Sequence, residues 1–105
     1  MTSLCFQWWT RAAEAGHVDA QHDLAHCFFS GDGVAANARK AVKWFTRAAE
    51  AGNACAQFNL GRCFALGDGV KCDDAMAREW FTRAAARGNS SALAALAELD
   101  AAEAA

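Results

Sequence analysis

Two histidines four residues apart are the side chains best suited to chemistry in this chain. Segment 22–26, His-Asp-Leu-Ala-His, would place His22 and His26 on one face of a helix, where both imidazoles could bind zinc. Asp19 and Cys27 are the candidates for a third ligand. The segment matches the HExxH zinc motif except that Asp replaces Glu, and the shorter Asp reaches less far as a general base. His22, His26 and Cys27 therefore define one hypothesis, a metal-binding or hydrolytic protein.

The cysteines weaken the catalytic part of this hypothesis. His26 and Cys27 are adjacent, and neighbours on a helix point about 100° apart, which is a poor geometry for a base and its nucleophile. An odd number of cysteines and the lack of any CxxC motif indicate reduced thiols, most of them buried as small apolar residues. Reduced thiols and the lack of a signal peptide favour a soluble, cytoplasmic protein. The five cysteines are Cys5, Cys27, Cys55, Cys63 and Cys72.

A second set of side chains offers charge for recognition. Arg11, Arg47 and Arg83 recur at a spacing of 36 residues. Guanidinium groups bind carboxylates through charge-assisted hydrogen bonds, so this row could hold an acidic or C-terminal peptide. A solvated helix face with Arg–Glu neighbours such as Arg11 and Glu14 explains the same pattern. We refer to the candidate partner-binding residues as the helix-A face: Arg11, Arg39, Lys43, Thr46, Arg47, Glu50 and Arg83.

The same spacing of 36 residues governs the whole chain. Segment 44–52, Trp-Phe-Thr-Arg-Ala-Ala-Glu-Ala-Gly, has close copies that end at Gly16 and Gly88. A fixed period of about 20 to 50 residues is typical of solenoids, in which each unit buries its apolar face against its neighbours. We therefore predict a single solenoid domain. Its three repeats, within residues 1–105, are 1–36, 37–72 and 73–105.

Each repeat contains two helices, A and B, divided at the glycine that ends the copied segment. In the middle repeat, helix A extends to about Ala51 and helix B spans about 54–66. Gly52 between them fits the left-handed backbone position that ends a helix. Asn and Asp side chains are good N-caps at the expected starts of the helices. These caps are Asn37, Asn53, Asp73 and Asn89.

Apolar residues recur along both helices at steps of three and four, so one face of each helix is predicted to be buried. Small residues at Ala25 and Gly61 would let helix B approach its partner closely. The buried faces of the middle repeat are expected to contain Ala41, Trp44, Phe45, Ala48, Ala49, Ala56, Leu60, Cys63 and Phe64.

The two ends of the array differ in sequence. Asp100 stands where the first two repeats have Phe28 and Phe64, and a polar residue there suits a solvated end. At the other end, Phe6 and Trp9 have no preceding repeat, so we expect both to be partly exposed. This exposure suggests a longer parent chain, an excised fragment or self-association through the amino-terminal helix.

Composition and charge restrict the class of protein. The chain is rich in alanine, poor in β-branched residues and free of proline, which favours an all-α fold. The net charge of −2 divides into −3, +4 and −3 over the three repeats. The basic middle repeat could attract RNA, but the acidic repeats on both sides would oppose a long polyanion. No segment has the roughly 20 apolar residues that span a bilayer.

The repeat also argues against the zinc hypothesis. The positions of His22 and His26 are held in the second repeat by Phe58 and Arg62, which are ordinary packing and surface residues. We therefore expect structural histidines, no metal site and no cofactor. Neither nucleic acid nor membrane is expected as a partner.

The repeated positions follow a known pattern: an alanine, an aromatic pair, Ala-Ala, Gly, then Ala, Leu-Gly, an aromatic residue and G-x-G-V. This chain resembles the Sel-one-like repeat (SLR) family, a relative of the tetratricopeptide repeats. The proline that often follows G-x-G-V is Ala35 or Lys71 here. The middle repeat matches the pattern at Ala41, Trp44, Phe45, Ala48, Ala49, Gly52, Ala56, Leu60, Gly61, Phe64 and 67–70.

The resemblance implies a right-handed α/α superhelix that acts as an adaptor or scaffold between other proteins. In such stacks helices A form the concave wall, which would place the helix-A face on that wall. We accordingly expect a non-enzymatic module that binds a protein or peptide, an acidic one if the helix-A face is the site. The alternative is a metal-binding or hydrolytic protein that uses His22, His26 and Cys27.

Overall fold

A computed structural model of the chain describes residues 4–31 and 34–104, with side chains for 7–31 and 34–101. The described residues form helices and no strands, which confirms the all-α prediction. The six helices are α1 (Leu4–Glu14), α2 (Val18–Ser30), α3 (Ala38–Glu50), α4 (Ala54–Leu66), α5 (Asp74–Ala86) and α6 (Ser90–Ala104).

Each helix packs against its neighbours in the sequence. α1 pairs with α2, α3 with α4 and α5 with α6, and the contacts of α2 with α3 and of α4 with α5 are the most extensive. α1, α3 and α5 are therefore the helices A of a solenoid, and α2, α4 and α6 are its helices B. The stack is elongated, with extents of 47, 24 and 17 Å.

The predicted N-caps are confirmed. The side-chain oxygen of Asn37 accepts a hydrogen bond from the amide three residues later at 3.1 Å, and that of Asn53 does so at 2.8 Å. Asp73 and Asn89 cap α5 and α6 in the same way. Each bond satisfies one of the amides that the first turn of a helix leaves without an intrahelical partner. His17, at this position before α2, makes no side-chain cap bond.

Glycines with a left-handed backbone end the helices. Gly52 follows α3 with φ 101°, as predicted, and Gly67 follows α4 with φ 73°. Gly69 also has a positive φ of 72°, and its backbone lies against the Ala38 carbonyl at the start of α3. A β-carbon at residue 69 would overlap that carbonyl, so the turn after α4 packs directly on the helix A of its own repeat.

The core runs through all three repeats. Leu24 and Leu60, at equivalent positions of α2 and α4, are at most 1% exposed. Two residues of the predicted faces, Trp44 and Phe64, are half-buried. The remaining buried apolar residues are Ala13, Ala25, Cys27, Phe28, Ala41, Phe45, Ala48, Ala49, Ala56, Cys63, Ala77, Trp80, Phe81, Ala84 and Ala92.

Two buried glutamines tie helix B to helix A, a feature that the apolar pattern did not predict. Gln57 Nε2 donates to the Ala49 carbonyl at 3.0 Å, and Gln21 Nε2 donates to the Ala13 carbonyl at 3.2 Å. Each of these carbonyls also accepts the backbone amide of the glycine three residues later, at 3.0 Å, so the glutamine side chain adds a second donor in the last turn of the helix. We call this contact the glutamine clamp. Leu93, at the equivalent position of α6, is 56% exposed, so the third repeat lacks the clamp.

The predicted close approach at the small residues is confirmed. A β-carbon on Gly61 would lie 2.7 Å from ring carbons of Phe81 and 3.2 Å from the Ala77 carbonyl oxygen. The Phe81 ring therefore packs directly on the backbone of α4. Ala25, at the equivalent position of α2, is fully buried.

The ends of the described array follow the sequence in part. Asp100 is exposed as expected, and it also forms an ion pair with Arg78 of α5. At the other end, Trp9 is half-buried, which agrees with the expected partial exposure, and Trp8, which the sequence did not single out, is 67% exposed. The side chain of Phe6 lies outside the described residues. Trp9 lines a cleft together with Cys27 of α2.

Candidate partner-binding site

Arginines of the helix-A face are stacked on tryptophans. The guanidinium carbon of Arg47 lies 4.7 Å from the centre of the Trp44 ring, and that of Arg83 lies 4.7 Å from the Trp80 ring. In both pairs the arginine follows the tryptophan by three residues, so they lie on the same side of the helix. Stacking holds a guanidinium in place through its flat face, which leaves the N–H donors on its edge for a carboxylate.

The two stacked arginines differ in their charge pairing. Arg83 donates to the Glu79 carboxylate at 2.9 Å, one turn earlier on α5. For Arg47, the described part of the chain provides no ion pair. Arg47 is exposed, so its charge is available to a partner.

The rest of the helix-A face is open to solvent with one exception. Thr46 is half-buried, and its hydroxyl donates to the Val42 carbonyl at 2.7 Å. The hydroxyl proton is therefore used within α3, and a partner would meet only the oxygen lone pairs and the methyl group. The exposed members of the face are Arg11, Arg39, Lys43, Arg47, Glu50 and Arg83.

The two histidines lie together, as their spacing predicted. The ring centres of His22 and His26 are 5.9 Å apart, and both rings contact Phe45 of α3. The Asn59 side-chain amide donates to His22 Nε2 at 3.1 Å, and His26 Nδ1 lies 3.4 Å from Ser30 Oγ. Among residues 4–31 and 34–104, no three His, Cys, Asp or Glu side chains are grouped so that they could hold a metal ion. The visible role of His22 is to join α2 to α4.

Burial also sets the protonation of His22. Desolvation lowers the pKa of His22 below its ordinary value of 6.5, against the opposing influence of the carboxylates of Asp23 and Asp19. His26 adds to the lowering. The neutral ring, which can accept the hydrogen bond from Asn59, is therefore favoured in the folded protein.

The four cysteines with described side chains are thiols, as predicted; Cys27 and Cys63 are buried and Cys55 and Cys72 are exposed, so half of them, not most, are buried. The side chain of Cys5 lies outside the described residues. Burial, together with the nearby Asp68 carboxylate, raises the pKa of Cys63 to about 11. The thiolate is the nucleophilic form of cysteine, and it is scarce at neutral pH when the pKa is this high. The hydrolytic alternative gains no support from this geometry.

Two grooves that the apolar pattern did not predict lie between successive helices B. The first, between α2 and α4, has buried Phe45 at its bottom and His26 on one wall. The second, between α4 and α6, has buried Phe81 at its bottom and Arg62 and Glu98 on its walls. Phe45 and Phe81 are 36 residues apart, as are His26 and Arg62. The repeat itself was thus the signal that could have revealed these grooves.

The architecture agrees with the match to a known family. The profile of the Sel1 repeat matches the chain three times, over residues 2–17, 18–53 and 56–89. The chain belongs to the Sel1 repeat family. This confirms the resemblance to SLR proteins inferred from the repeated residues. Sel1 repeat proteins are generally non-enzymatic helical scaffolds for protein interactions.

Solved structures of Sel1 repeat proteins have the same fold. A Sel1 repeat protein from Oxalobacter formigenes is similar with a TM-score of 0.86 and 39% identity, over 88% of this chain and 69% of that protein. A protective antigen present in uropathogenic Escherichia coli strains, which displays an SLR fold, gives a TM-score of 0.82 at 39% identity over 83% of this chain. The chain spans 19% of that antigen.

A third structure shows how far the fold extends beyond sequence identity. Helicobacter pylori cysteine rich protein B has a TM-score of 0.82 at 24% identity, over 87% of this chain and 68% of its own length. This likeness shows the shared fold alone. No match is found among curated proteins.

Within residues 4–31 and 34–104, no helix of this Sel1 repeat chain is long and apolar enough to cross a membrane.

Proposed function

We propose that this Sel1 repeat chain is an adaptor module that binds an acidic segment of a partner protein on the helix-A face. The general role of the family as an interaction scaffold supports protein binding, and the arginines support the choice of face. The observation that carries the proposal is the stacking of Arg47 on Trp44 at 4.7 Å, with no ion pair to Arg47 in the described residues.

The stacked guanidinium suits a carboxylate for two physical reasons. A planar fork of N–H donors matches the two oxygens of a carboxylate, and charge-assisted bonds of this kind are roughly twice as strong as neutral ones. Because Trp44 already restricts Arg47, less side-chain entropy is lost when a partner binds. Arg39 and Lys43 on the same helix add positive charge around the site.

Charge distribution supports a short acidic partner segment. The middle repeat carries +4 and each flanking repeat carries −3, so attraction is confined to the width of about one repeat. A long polyanion would meet repulsion on both sides. We therefore expect neither a nucleic acid nor an anionic membrane surface as a partner.

We further propose that the module acts without catalysing a reaction. The raised pKa of the Cys63 thiol, to about 11, and the use of His22 in a bond to Asn59 both support a structural role for these groups. The expected result is partner binding without turnover. His26→Ala in the full chain should therefore change no enzymatic activity, because the wild-type chain has none.

Binding of a defined peptide tests the choice of face. The probe is a fluorescein-labelled oligoglutamate octapeptide with a free carboxyl terminus, followed by fluorescence anisotropy with the full chain. The matched probe is an oligoglutamine octapeptide with an amidated terminus. We expect the acidic probe alone to bind, and Arg47→Glu to abolish its binding because attraction becomes repulsion. Unchanged binding by Arg47→Glu would rule out this face.

Two control variants separate a local contact from a change in net charge. Arg62→Glu alters the net charge by the same amount but lies on helix B, so most of the binding should remain. Arg83→Glu should have a smaller effect than Arg47→Glu, since Glu79 already pairs with Arg83. Circular dichroism of each variant checks that the helices are intact.

The amino-terminal helix supports a further proposal, that two copies of the chain associate through Trp8. Trp80 is 6% exposed, its counterpart Trp44 is half-buried, and Trp8 is 67% exposed. Covering so large an apolar surface would stabilise a dimer. Light scattering should detect a dimer that Trp8→Ser converts to a monomer, and a wild-type chain that stays monomeric at high concentration contradicts it.

A further inference from the structure

The groove between α4 and α6 is much larger than its counterpart between α2 and α4. Its volume is about 450 Å³, against about 50 Å³ for the equivalent groove between α2 and α4. Ligand pockets typically measure about 300–1,000 Å³, so of these two grooves the one between α4 and α6 is large enough to hold a sizeable group. It lies between helices B, away from the helix-A face.

A change of side chain between repeats accompanies the difference in volume. In the first groove, Asn59 of α4 bonds to His22 of α2 at 3.1 Å and so bridges the two walls. The residue at the equivalent position of α6 is Ala95, which is too short to bridge. Phe58 stands opposite, where the first groove has His22, and it has no hydrogen-bonding group. The second groove therefore stays open.

The inner surface of the α4–α6 groove is aromatic. The Phe81 ring forms the bottom and lies 5.7 Å, centre to centre, from the Phe58 ring on the α4 wall. Ala94 and Ala95 of α6 line the opposite wall. An apolar side chain that entered the groove would displace water from the exposed part of the Phe58 ring and pack above the buried Phe81 ring.

The rim of the groove carries opposite charges on its two walls. The guanidinium carbon of Arg62 lies 5.8 Å from the centre of the Phe58 ring, which holds the charge beside the aromatic surface. Glu98 lies on the α6 wall. Within residues 7–31 and 34–101, neither side chain is found in an ion pair. Both charges are thus available to an occupant with charges arranged in the complementary order.

We propose that the α4–α6 groove is a second docking site, for a partner segment in which a large apolar side chain is flanked by an acidic residue and a basic residue. The apolar side chain enters between Phe58, Phe81 and Ala95. The acidic neighbour pairs with Arg62, and the basic neighbour pairs with Glu98. This site goes beyond the proposed function, because it uses other helices and requires no contact with Arg47.

Two blocked tripeptides provide the probes for a test in solution. Ac-Glu-Trp-Lys-NH₂ has the proposed charge arrangement, and Ac-Gln-Trp-Gln-NH₂ has the same net charge without it. Nuclear magnetic resonance titration of the ¹⁵N-labelled full chain should give saturable shifts at the amides of Phe58, Phe81 and Ala95 with both peptides. The charged peptide should bind about two- to fivefold more tightly, the range expected of exposed ion pairs.

Variants of the groove identify the contacts. Ala95→Leu fills the space and should abolish binding of both peptides. Arg62→Gln should reduce the advantage of the charged peptide, because only the pair with Glu98 remains, while the neutral peptide still binds. Arg47→Glu serves as the control on the helix-A face, and it should leave tripeptide binding unchanged even though it abolishes capture of oligoglutamate.

The outcomes that overturn the proposal are equally specific. Absence of saturable shifts in the wild-type chain overturns it, as does tripeptide binding that persists in folded Ala95→Leu. If Ala95→Leu fails to fold, Ala94→Phe takes its place, since residue 94 is exposed and a ring there would cover the groove from its edge. Equal affinity for the two peptides would overturn the pairing with Arg62 and Glu98.

Discussion

The guanidinium of Arg47 lies over the ring of Trp44, with 4.7 Å between its central carbon and the ring centre. Arg83 and Trp80 repeat this relationship one unit later, at the same distance. Repetition in two units makes the stacked pair a property of the repeat. A guanidinium held in this way presents a fixed set of donors, which a mobile ammonium group does not.

Arg47→Lys should therefore weaken binding of the oligoglutamate peptide although the charge is kept. We expect the Kd to rise about two- to fivefold, because lysine lacks the flat guanidinium group. That group stacks on Trp44 and binds a carboxylate through two hydrogen bonds. Fluorescence anisotropy measures the change in Kd. Arg39→Lys is the matched control, since no stacking partner is found for Arg39 in the described residues, and equal losses for both variants would contradict the role of the stack.

The glutamine clamp predicts opposite effects at equivalent positions. Gln57→Ala should lower the free energy of unfolding by about 1–2 kcal/mol, because a buried hydrogen bond to the Ala49 carbonyl is lost. Leu93→Gln should raise it by about 0.5–1 kcal/mol, because the new amide can reach the carbonyl of Ala85 on α5. Urea denaturation of the full chain measures both.

The expected rise in the free energy of unfolding of Leu93→Gln is the more decisive of the two tests. Leu93 is 56% exposed, so its replacement sacrifices little apolar burial. Leu93→Ala is the control that removes the leucine without adding an amide. If Leu93→Gln is no more stable than Leu93→Ala, the clamp does not transfer to the third repeat.

Two glycines with similar backbones should differ in their tolerance of a β-carbon. Gly69 and Gly88 have φ values of 72° and 91°, so alanine is strained at both, by roughly 1–2 kcal/mol. Around Gly88 the space is open, whereas a β-carbon at Gly69 would overlap the Ala38 carbonyl. Gly69→Ala should therefore destabilise the chain by about 1–3 kcal/mol more than Gly88→Ala does. Equal melting temperatures for the two variants would show that the turn after α4 does not pack closely against α3.

The pKa of His22 predicts loss of stability in acid. Because burial lowers this pKa in the folded state, the unfolded chain binds a proton more readily. The contribution of neutral His22 is fully present above about pH 6.5, the pKa of an unfolded histidine, and is lost as the pH falls through the folded-state pKa. His22→Gln keeps a hydrogen-bonding group near Asn59 without titrating, so the free energy of unfolding should fall less between pH 7 and pH 5.

An exposed histidine provides the control for this pH dependence. His17 makes no side-chain cap bond and is exposed, so His17→Gln should leave the pH profile of stability as it is in the wild type. Urea denaturation at several pH values compares the three proteins. A His22→Gln profile that coincides with the wild-type profile would contradict the assignment.

Much of the fold could be predicted because, in a repeat protein, the residue type at a given position of the period indicates both the local backbone structure and the packing against neighbouring helices. The caps at Asn37 and Asn53, the left-handed Gly52 and the close contact at Gly61 are all set by residue type at a fixed place in the period. At the amino-terminal end, the partial exposure of Trp9 was predicted, but the greater exposure of Trp8 was not. Trp9 is half-buried and Trp8 is exposed, since the rotation of α1 against α2 decides which of two adjacent rings is covered.

The candidate sites likewise combine features that the sequence predicts with features that only the structure shows. That the helix-A face is charged and mostly exposed follows from helical periodicity, and the sequence contains this information in full. That Arg47 is without an ion pair in the described residues while Arg83 is paired with Glu79 depends on side-chain positions in space. The use of the face by a partner stays a prediction.

The sequence by itself determined the helical repeat, its period and its family, because these depend on residue types that recur every 36 positions. Only the tertiary structure decided what lies between the repeats. The Asn59–His22 bond closes one groove, and Ala95 leaves the next one open. Such contacts join residues of different units, and their geometry depends on how the helices B are spaced, a distance that no local pattern encodes.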